Sequence, residues 1–286
     1  MIQIFNKILR NRLALIGGIL VLLLILLSLV APVISPYQKA IDQNYSRTLQ
    51  APGASHFLGT DDLGRDIFTR ILYGTRVSLL VGIIVVFTGM LIGVFFGLIS
   101  GYFGGWLDST IMRLTDIFLA FPFLLLAIAI SAFLGPNLRN GIIALSCASI
   151  PSYIRLVRGS VLSLKENTYV EAARVCGSSN GRIIFLHLLP NLFGTLLVYG
   201  TLKISTAILA EAGLSYLGLS VQPPDPSWGK MLFEGKPFIM EGAWWLTFFP
   251  GLAIVLTVMG FNCLGDGLRD ILDPRLRETK TGATNV

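Results

Sequence analysis

Long apolar runs alternate with shorter polar segments along this chain, and the runs set the number of elements. The first, Leu13–Ala31, is long enough to cross a bilayer and follows Lys7, Arg10 and Arg12. It has neither the short apolar core nor the small-residue cleavage site of a secretory signal, so it reads as an uncleaved anchor. Five further spans follow, at Val77–Ser100 and at about Ile117–Leu134, Asn140–Ile154, Leu188–Ala212 and Ala243–Gly265. The second is uncharged and carries Gly82, Gly89, Gly93 and Gly97; the third has Pro122 near its start.

Three polar segments complete the pattern. Pro32–Arg76 is rich in turn formers, and its latter half predicts a short amphipathic helix with Ile67, Ile71 and Leu72 on one face. Between the fifth and sixth spans, Pro223, Pro224 and Pro226 predict a rigid, non-helical surface. The third stretch is NTYVEAARVCGSSNGRIIFLHLLPN, Asn167 to Asn191, where charges, small residues and turn formers gather.

Composition sharpens this reading. The 286 residues are 53% hydrophobic and 13% charged, with mean hydropathy +0.73. Soluble domains carry about a quarter charged residues, so the pattern is that of an all-α integral membrane protein of about six transmembrane helices. The net charge of +6 is read against topology before any nucleic acid. With the N-terminus inside, cytoplasmic segments hold thirteen Lys and Arg and outer segments eight, while Lys203 lies within the fifth span. Both termini are therefore expected in the cytoplasm, together with the Asn167–Asn191 stretch. The chain divides into residues 1–76, an anchor span and long outer loop; 77–270, a five-span core with a cytoplasmic loop at 159–190; and 271–286, a cytoplasmic tail.

Candidate chemistry is sparse. Cys147, Cys176 and Cys263 are scattered and read as small buried hydrophobes rather than ligands or disulfide partners. GxxxxGK[ST], HExxH and CxxC patterns are absent, so no catalytic or metal site is expected. Asp61, Asp62 and Asp66 stand around Arg65 and suit turn capping and local ion pairs. Asp266, Arg269 and Asp270 read as boundary ion pairs.

The Asn167–Asn191 stretch is more specific. Thr168 and Glu171 fit the S/T-x-x-E capping box, predicting a helix over 169–176. Gly177 sits where a left-handed C-terminal cap favours glycine, and Ser178, Ser179 and Asn180 supply a turn and a new N-cap. A second short helix, GRIIFLHLLP, leads into the fifth span. Ala172, Ala173 and Gly177 leave one flank nearly bare, which suits docking into a groove; a well-capped connector would use the same residues.

Glu171-Ala172-Ala173, Gly177 and Leu189-Pro190 are spaced as in the EAA loop of membrane subunits of bacterial ABC importers, which the chain resembles. His187 stands where the general pattern has isoleucine, as is usual in the dipeptide and oligopeptide permease branch. His56–Leu79, Gly101–Pro122 and Phe261–Arg277 resemble the same branch, so the likeness spans nearly the whole chain. It is similar to the shorter of the two membrane subunits, with one extra N-terminal span before a five-span core. The resemblance implies a bacterial inner-membrane, multi-pass permease for di- or oligopeptides, with no cofactor of its own. The expected partners are a second permease, two cytoplasmic ATPases that bind Mg-ATP, an extracytoplasmic binding protein and membrane lipids. It further implies that Glu171, Ala172, Ala173 and Gly177 contact an ATPase, with Tyr169 and Arg174 flanking. Lys203 and Glu211, eight residues apart on one face, are expected to line the path and meet a peptide's terminal charges. The other reading places Glu211 at the outer boundary and pairs Lys203 with Asp116 or the second permease. The same architecture importing nickel or a metal chelate is the alternative function. A secondary transporter would call for inverted repeats or paired broken helices, neither of which the sequence displays.

Overall fold

The structure is a computed structural model that describes residues 11–272. Lys7, Arg10, Arg275, Arg277 and Lys280, which enter the charge count, and the tail beyond 272 lie outside the described residues.

The described residues are mostly helical, with non-helical stretches at 48–66 and 217–227 and a single isolated bridge, Thr60 to Asp66, among them. Its helices are α1 (Arg12–Ile34), α2 (Gln38–Ile41), α3 (Ile67–Phe103), α4 (Gly105–Leu119), α5 (Phe123–Leu134), α6 (Leu138–Leu164), α7 (Thr168–Val175), α8 (Asn180–Tyr216), α9 (Trp228–Gly235) and α10 (Trp245–Leu272). Five are long and apolar enough to cross a membrane, and α4 with α5, bent by 88° at their break, is together apolar enough for a broken span or a re-entrant loop.

Several expectations are corrected here. The third span is not one rod from Ile117: a break at 120–122 separates α4 from α5. Pro122, extended at ψ 133, cannot donate to the preceding turn, so the helix stops and restarts at a new angle. The amphipathic stretch near Ile67 is not a separate helix but the first turns of α3, capped by Asp66 accepting from Thr69 N. A division at residue 76 therefore falls inside a continuous helix. The proline-rich segment is not wholly non-helical. Ser227 caps α9 by accepting from Lys230 N, and Trp228 is fully buried with its indole donating to Ile71 O at 3.2 Å. The cysteines are not buried within the subunit: Cys147 and Cys176 are exposed and Cys263 is half-buried. Asp266, Arg269 and Asp270 make no ion pair among the described residues; Asp270 accepts from Asn11 Nδ2 at 3.4 Å.

The bundle is held by close helix pairs. On α3, Gly89, Gly93, Gly97 and Gly101 form one ridge against Ser149, Tyr153, Ile154, Val157 and Val161 of α6. A Cβ at Gly93 would stand 2.2 Å from Tyr153 Cβ, so the helices approach only because no side chain intervenes. The N-terminal span packs in the same way on α10: a Cβ at Gly17 would meet Leu264 N at 2.2 Å. Thus α1 is part of the packed subunit, and the described chain ends lie at one face of the bundle. That face also carries α7. The opposite face carries residues 35–66, the start of α3, and α9.

Candidate functional site

Two places concentrate the residues singled out by sequence: the connector α7 and the middle of α8.

The connector lies where α3 and α6 end. Val170 is its one fully buried side chain, packed among Leu98, Val157, Val161, Ile183, Ile184, Leu188 and Leu192. Lys165 Nζ donates to Gly101 O at 3.1 Å, and Tyr102 OH donates to Asn180 Oδ1 at 2.8 Å. The Arg174 guanidinium lies 5.6 Å from the Tyr102 ring centroid, and Tyr169 packs on His187 with ring centroids 6.4 Å apart. Tyr169 and Arg174 are therefore partly occupied in seating the connector. His187, where the general pattern has isoleucine, supports Tyr169 from below.

The C-terminal end of α7 follows its predicted chemistry. Gly177 takes φ +76°, Ser178 N donates to Ala173 O at 3.0 Å, and Gly177 N donates to Arg174 O at 2.9 Å, a complete Schellman motif. A Cβ at Gly177 would meet nothing within 4 Å, so the glycine answers to its backbone angle and not to space. Ser179 Oγ accepts from Arg182 N, as expected of the new N-cap. The N-terminal end differs. Asn167, not Thr168, is the cap residue; it makes no side-chain cap bond, and its Nδ2 turns back to Leu164 O at 3.1 Å. The capping box is not formed, because Thr168 is already helical and Glu171 points to solvent.

What remains outward is a small patch. Glu171 and Ala172 are exposed, Ala173 is half-buried, and Glu171 has no hydrogen-bond or ion-pair partner among the described residues. Val175, one turn after Glu171 on the same flank, is 88% exposed. Sequence reading missed Val175 because a single valine between Arg174 and Cys176 makes no motif; its i+4 spacing from Glu171 was the available signal.

After α7 the chain re-enters the bundle through a wide π turn, Ile183–Leu188, where Leu189 N reaches back to Ile184 O. Pro190 has no N–H to offer Leu186 O and would crowd it in a regular helix, so the turn widens. Asn191 Nδ2 donates to His187 O at 2.6 Å.

Lys203 and Glu211 part company. Glu211 has no accessible surface; Ser215 Oγ donates to its Oε1 at 2.6 Å and Ser220 Oγ approaches at 3.5 Å. In this conformation it is an internal tie between the end of α8 and the segment after it. Lys203 is half-buried, with Nζ 5.2 Å from the Tyr199 ring centroid. It does not pair with Asp116, whose carboxylate is bound by Arg155. Lys203 lines a small opening with Ser149, Ser152, Tyr153 and Thr206. Toward the connector face, a cavity of about 620 Å³ is walled by Asn191, Thr195 and Tyr199 of α8, with Arg269 of α10.

The opposite face is locked. Arg65 Nε meets Asp61 Oδ2 at 2.6 Å, and Arg65 Nη2 and Arg70 Nη2 meet Glu234 Oε2 at 2.9 and 3.0 Å. His56 Nδ1 lies 3.1 Å from Asp66 Oδ1. The ion pairs and capping expected of Asp61 and Asp66 are thus present. Asp62 has its carboxyl pushed up by burial and then by the Asp61 charge. Tyr37 bonds Asp225; burial, then that bond, raises its hydroxyl to about 12.

Comparisons with known proteins agree with this architecture. A family profile described as "Binding-protein-dependent transport system inner membrane component" matches residues 93–278, and one described as "N-terminal TM domain of oligopeptide transport permease C" matches residues 1–52. The chain is 48% identical over 275 residues to a dipeptide transport system permease protein of Alkalihalophilus pseudofirmus, covering 96% of this chain and 90% of the relative. It is 46% identical over 275 residues to a glutathione transport system permease protein of Pectobacterium atrosepticum, again covering 96% and 90%. A solved structure of the MetNI methionine ABC transporter in an inward-facing conformation superposes with TM-score 0.60 at 20% identity, covering 72% of this chain and 97% of that chain.

Proposed function

Because the chain belongs to the family of binding-protein-dependent transport system inner membrane components, we propose that it imports di- or oligopeptides and takes its driving motion through α7. As a member of that family it is a multi-pass, bacterial inner-membrane permease subunit of an ATP-driven importer, and its ATPase lies in partner subunits. The peptide reading rests on the dipeptide and glutathione permeases it resembles. The connector face is taken as cytoplasmic, both chain ends with it, and the face bearing Arg65 and Glu234 as extracytoplasmic. A second permease completes the path, a binding protein delivers the solute, and two ATPases dock on α7 and its counterpart.

The observation that carries the coupling role is the seating of α7. One buried side chain fixes it, and Glu171, Ala172 and Val175 project from the bundle without being used inside it. Ala173 and Gly177 shape that patch, while Tyr169 and Arg174 hold it at the right height. A helix that packs this lightly, yet continues into α8 through a widened turn, can pass a push to the spans.

The test is Glu171→Lys, and separately Val175→Asp, in the complex co-expressed with its ATPases and binding protein. Neither side chain is used inside the subunit, so thermal stability is expected to stay within about 0.5 kcal/mol. Peptide uptake is expected to fall about tenfold or more, with the ATPases lost on purification. Unchanged uptake and retained ATPases in both variants would make α7 a connector only. Gly177→Glu is a poorer test, because the +76° angle strains any side chain there.

A further inference from the structure

We propose that Lys203, with Tyr153 beside it, forms a subsite inside the span that binds the carboxylate of the solute in transit. This rests on the peptide reading above, since a peptide carries a free C-terminal carboxylate.

Lys203 lies on α8 with about three and a half turns of helix beyond it toward Tyr216. Charges at such a depth face protein or water and find a counter-charge. Among the described residues Lys203 has no carboxylate partner. Asp116 is engaged by Arg155, and Glu211 is sealed behind Ser215 and Ser220. The ammonium is aimed by aromatic packing: it stands over the Tyr199 ring, and the Tyr153 ring meets Tyr199 edge-on, 5.2 Å between centroids.

Tyr153 gives a second, independent pointer. It is 0% exposed, and its hydroxyl has no hydrogen-bond partner among the described residues. A buried hydroxyl without a partner is costly and calls for explanation. It lines the same small opening as Lys203, with Ser149, Ser152 and Thr206 and no acidic side chain. Ser149 already donates to Ser146 O at 2.8 Å, which leaves an ammonium and hydroxyls as the free donors. An ammonium beside hydroxyls that can turn to donate, with no carboxylate among them, favours an anion, and a planar carboxylate can take a bond from each of two donors. The opening holds about 20 Å³ in this conformation, room for a water-sized group. Tyr199, over whose ring the ammonium stands, also walls the 620 Å³ cavity that Arg269 borders toward the connector face.

The experiment uses the assembled importer in liposomes with its ATPases and binding protein. Import of a dipeptide is compared with import of its C-terminal amide, each at saturating binding protein. The acid-to-amide ratio of import rates is expected to fall about tenfold in Lys203→Met and to stay near wild type in Lys203→Arg. Tyr153→Phe is expected to lower the ratio about threefold, and it keeps the test decisive should Lys203→Met not assemble. A ratio unchanged in Lys203→Met and Tyr153→Phe overturns the subsite while leaving peptide import standing. A loss of both forms in parallel in Lys203→Met also overturns it, because the lysine then pairs with a carboxylate of another subunit. If the wild-type complex imports neither form, the peptide reading itself fails.

Discussion

At one face of the bundle Arg65 and Arg70 are 2% and 1% exposed and converge on Glu234, which α9 brings across to meet them. At the other, α7 buries Val170 alone and offers Val175 to solvent. The first face is tied across distant segments by charge pairs in a dry setting, by Trp228 donating to Ile71 O and by Trp245 donating to Thr60 O. At the second, α7 itself is seated by one valine, by Lys165 on Gly101 O, by Tyr102 on Asn180 and by rings at Arg174 and Tyr169, while the ion pair beside it, Arg158 with Asp108, joins α6 to α4 and leaves α7 out. The difference fits the proposal that α7 receives motion while the opposite face keeps its register. Elements that move are drawn from the weakly held end of a structure.

Substitutions can break or sharpen this contrast. The largest effect is expected at Arg70. Arg70→Met removes one partner of a buried pair and leaves Glu234 and Asp61 underpaired, costing about 3–5 kcal/mol. Thermal unfolding of the purified complex measures it; a loss under about 1 kcal/mol would mean that the charge network does not hold that face. Val170→Ala is expected to cost about 2 kcal/mol and to loosen α7 in hydrogen exchange while the loop face keeps its protection. Equal loosening of both faces would contradict the separation drawn here. Gly177→Ala is expected to cost about 1–2 kcal/mol from the left-handed angle, with no clash to add, as the site of its Cβ is open.

The smallest effects are the pH responses of the loop face, which share one sign and differ in their pH window. Asp62 has a carboxyl raised by burial, so the fold favours its protonated form: the contribution is present below the ordinary aspartate range and lost as pH rises through it. Asp62→Asn is therefore expected to leave stability at neutral pH equal or slightly higher, whereas removing Asp61 lowers it. Tyr37 is raised from 10.0 to about 12, so its contribution is present below pH 10 and lost between pH 10 and 12. Tyr37→Phe should flatten the stability profile across that window, and an unaltered slope there would rule the tyrosine out as its source.

Much of the fold was legible in the chain because spans announce themselves by length and apolarity. The first span, the N-cap at Ser179 and the glycine cap at 177 are where local residues place them. Local chemistry was misleading where a non-local partner competed. Thr168 and Glu171 have capping-box spacing, but seating Val170 among α3, α6 and α8 sets the register of α7 and draws Thr168 into the helix. The stretch from 117 to 134 reads as one span because hydropathy has no memory of direction, and the 88° bend appears only in three dimensions. Lys203 and Glu211 looked alike on a helical wheel; one stands over an aromatic ring beside an opening, and the other is sealed by two serines.

The sequence alone determined the apolar spans, the helical class and the turn chemistry after α7, because each depends on residues close together along the chain; that Gly89, Gly93, Gly97 and Gly101 make one ridge, with Gly82 turned to α8, belongs to the packing. Tertiary structure decided which charges are paired, which are free, and which face is locked. Those outcomes depend on Glu234 reaching Arg65 and Arg70 across more than 160 residues, on Arg155 claiming Asp116, and on the packing that leaves Lys203 without a carboxylate among the described residues. Pairing a charge is a matter of distance in space and of exclusion from water, and neither quantity is written in the spacing of residues along the chain.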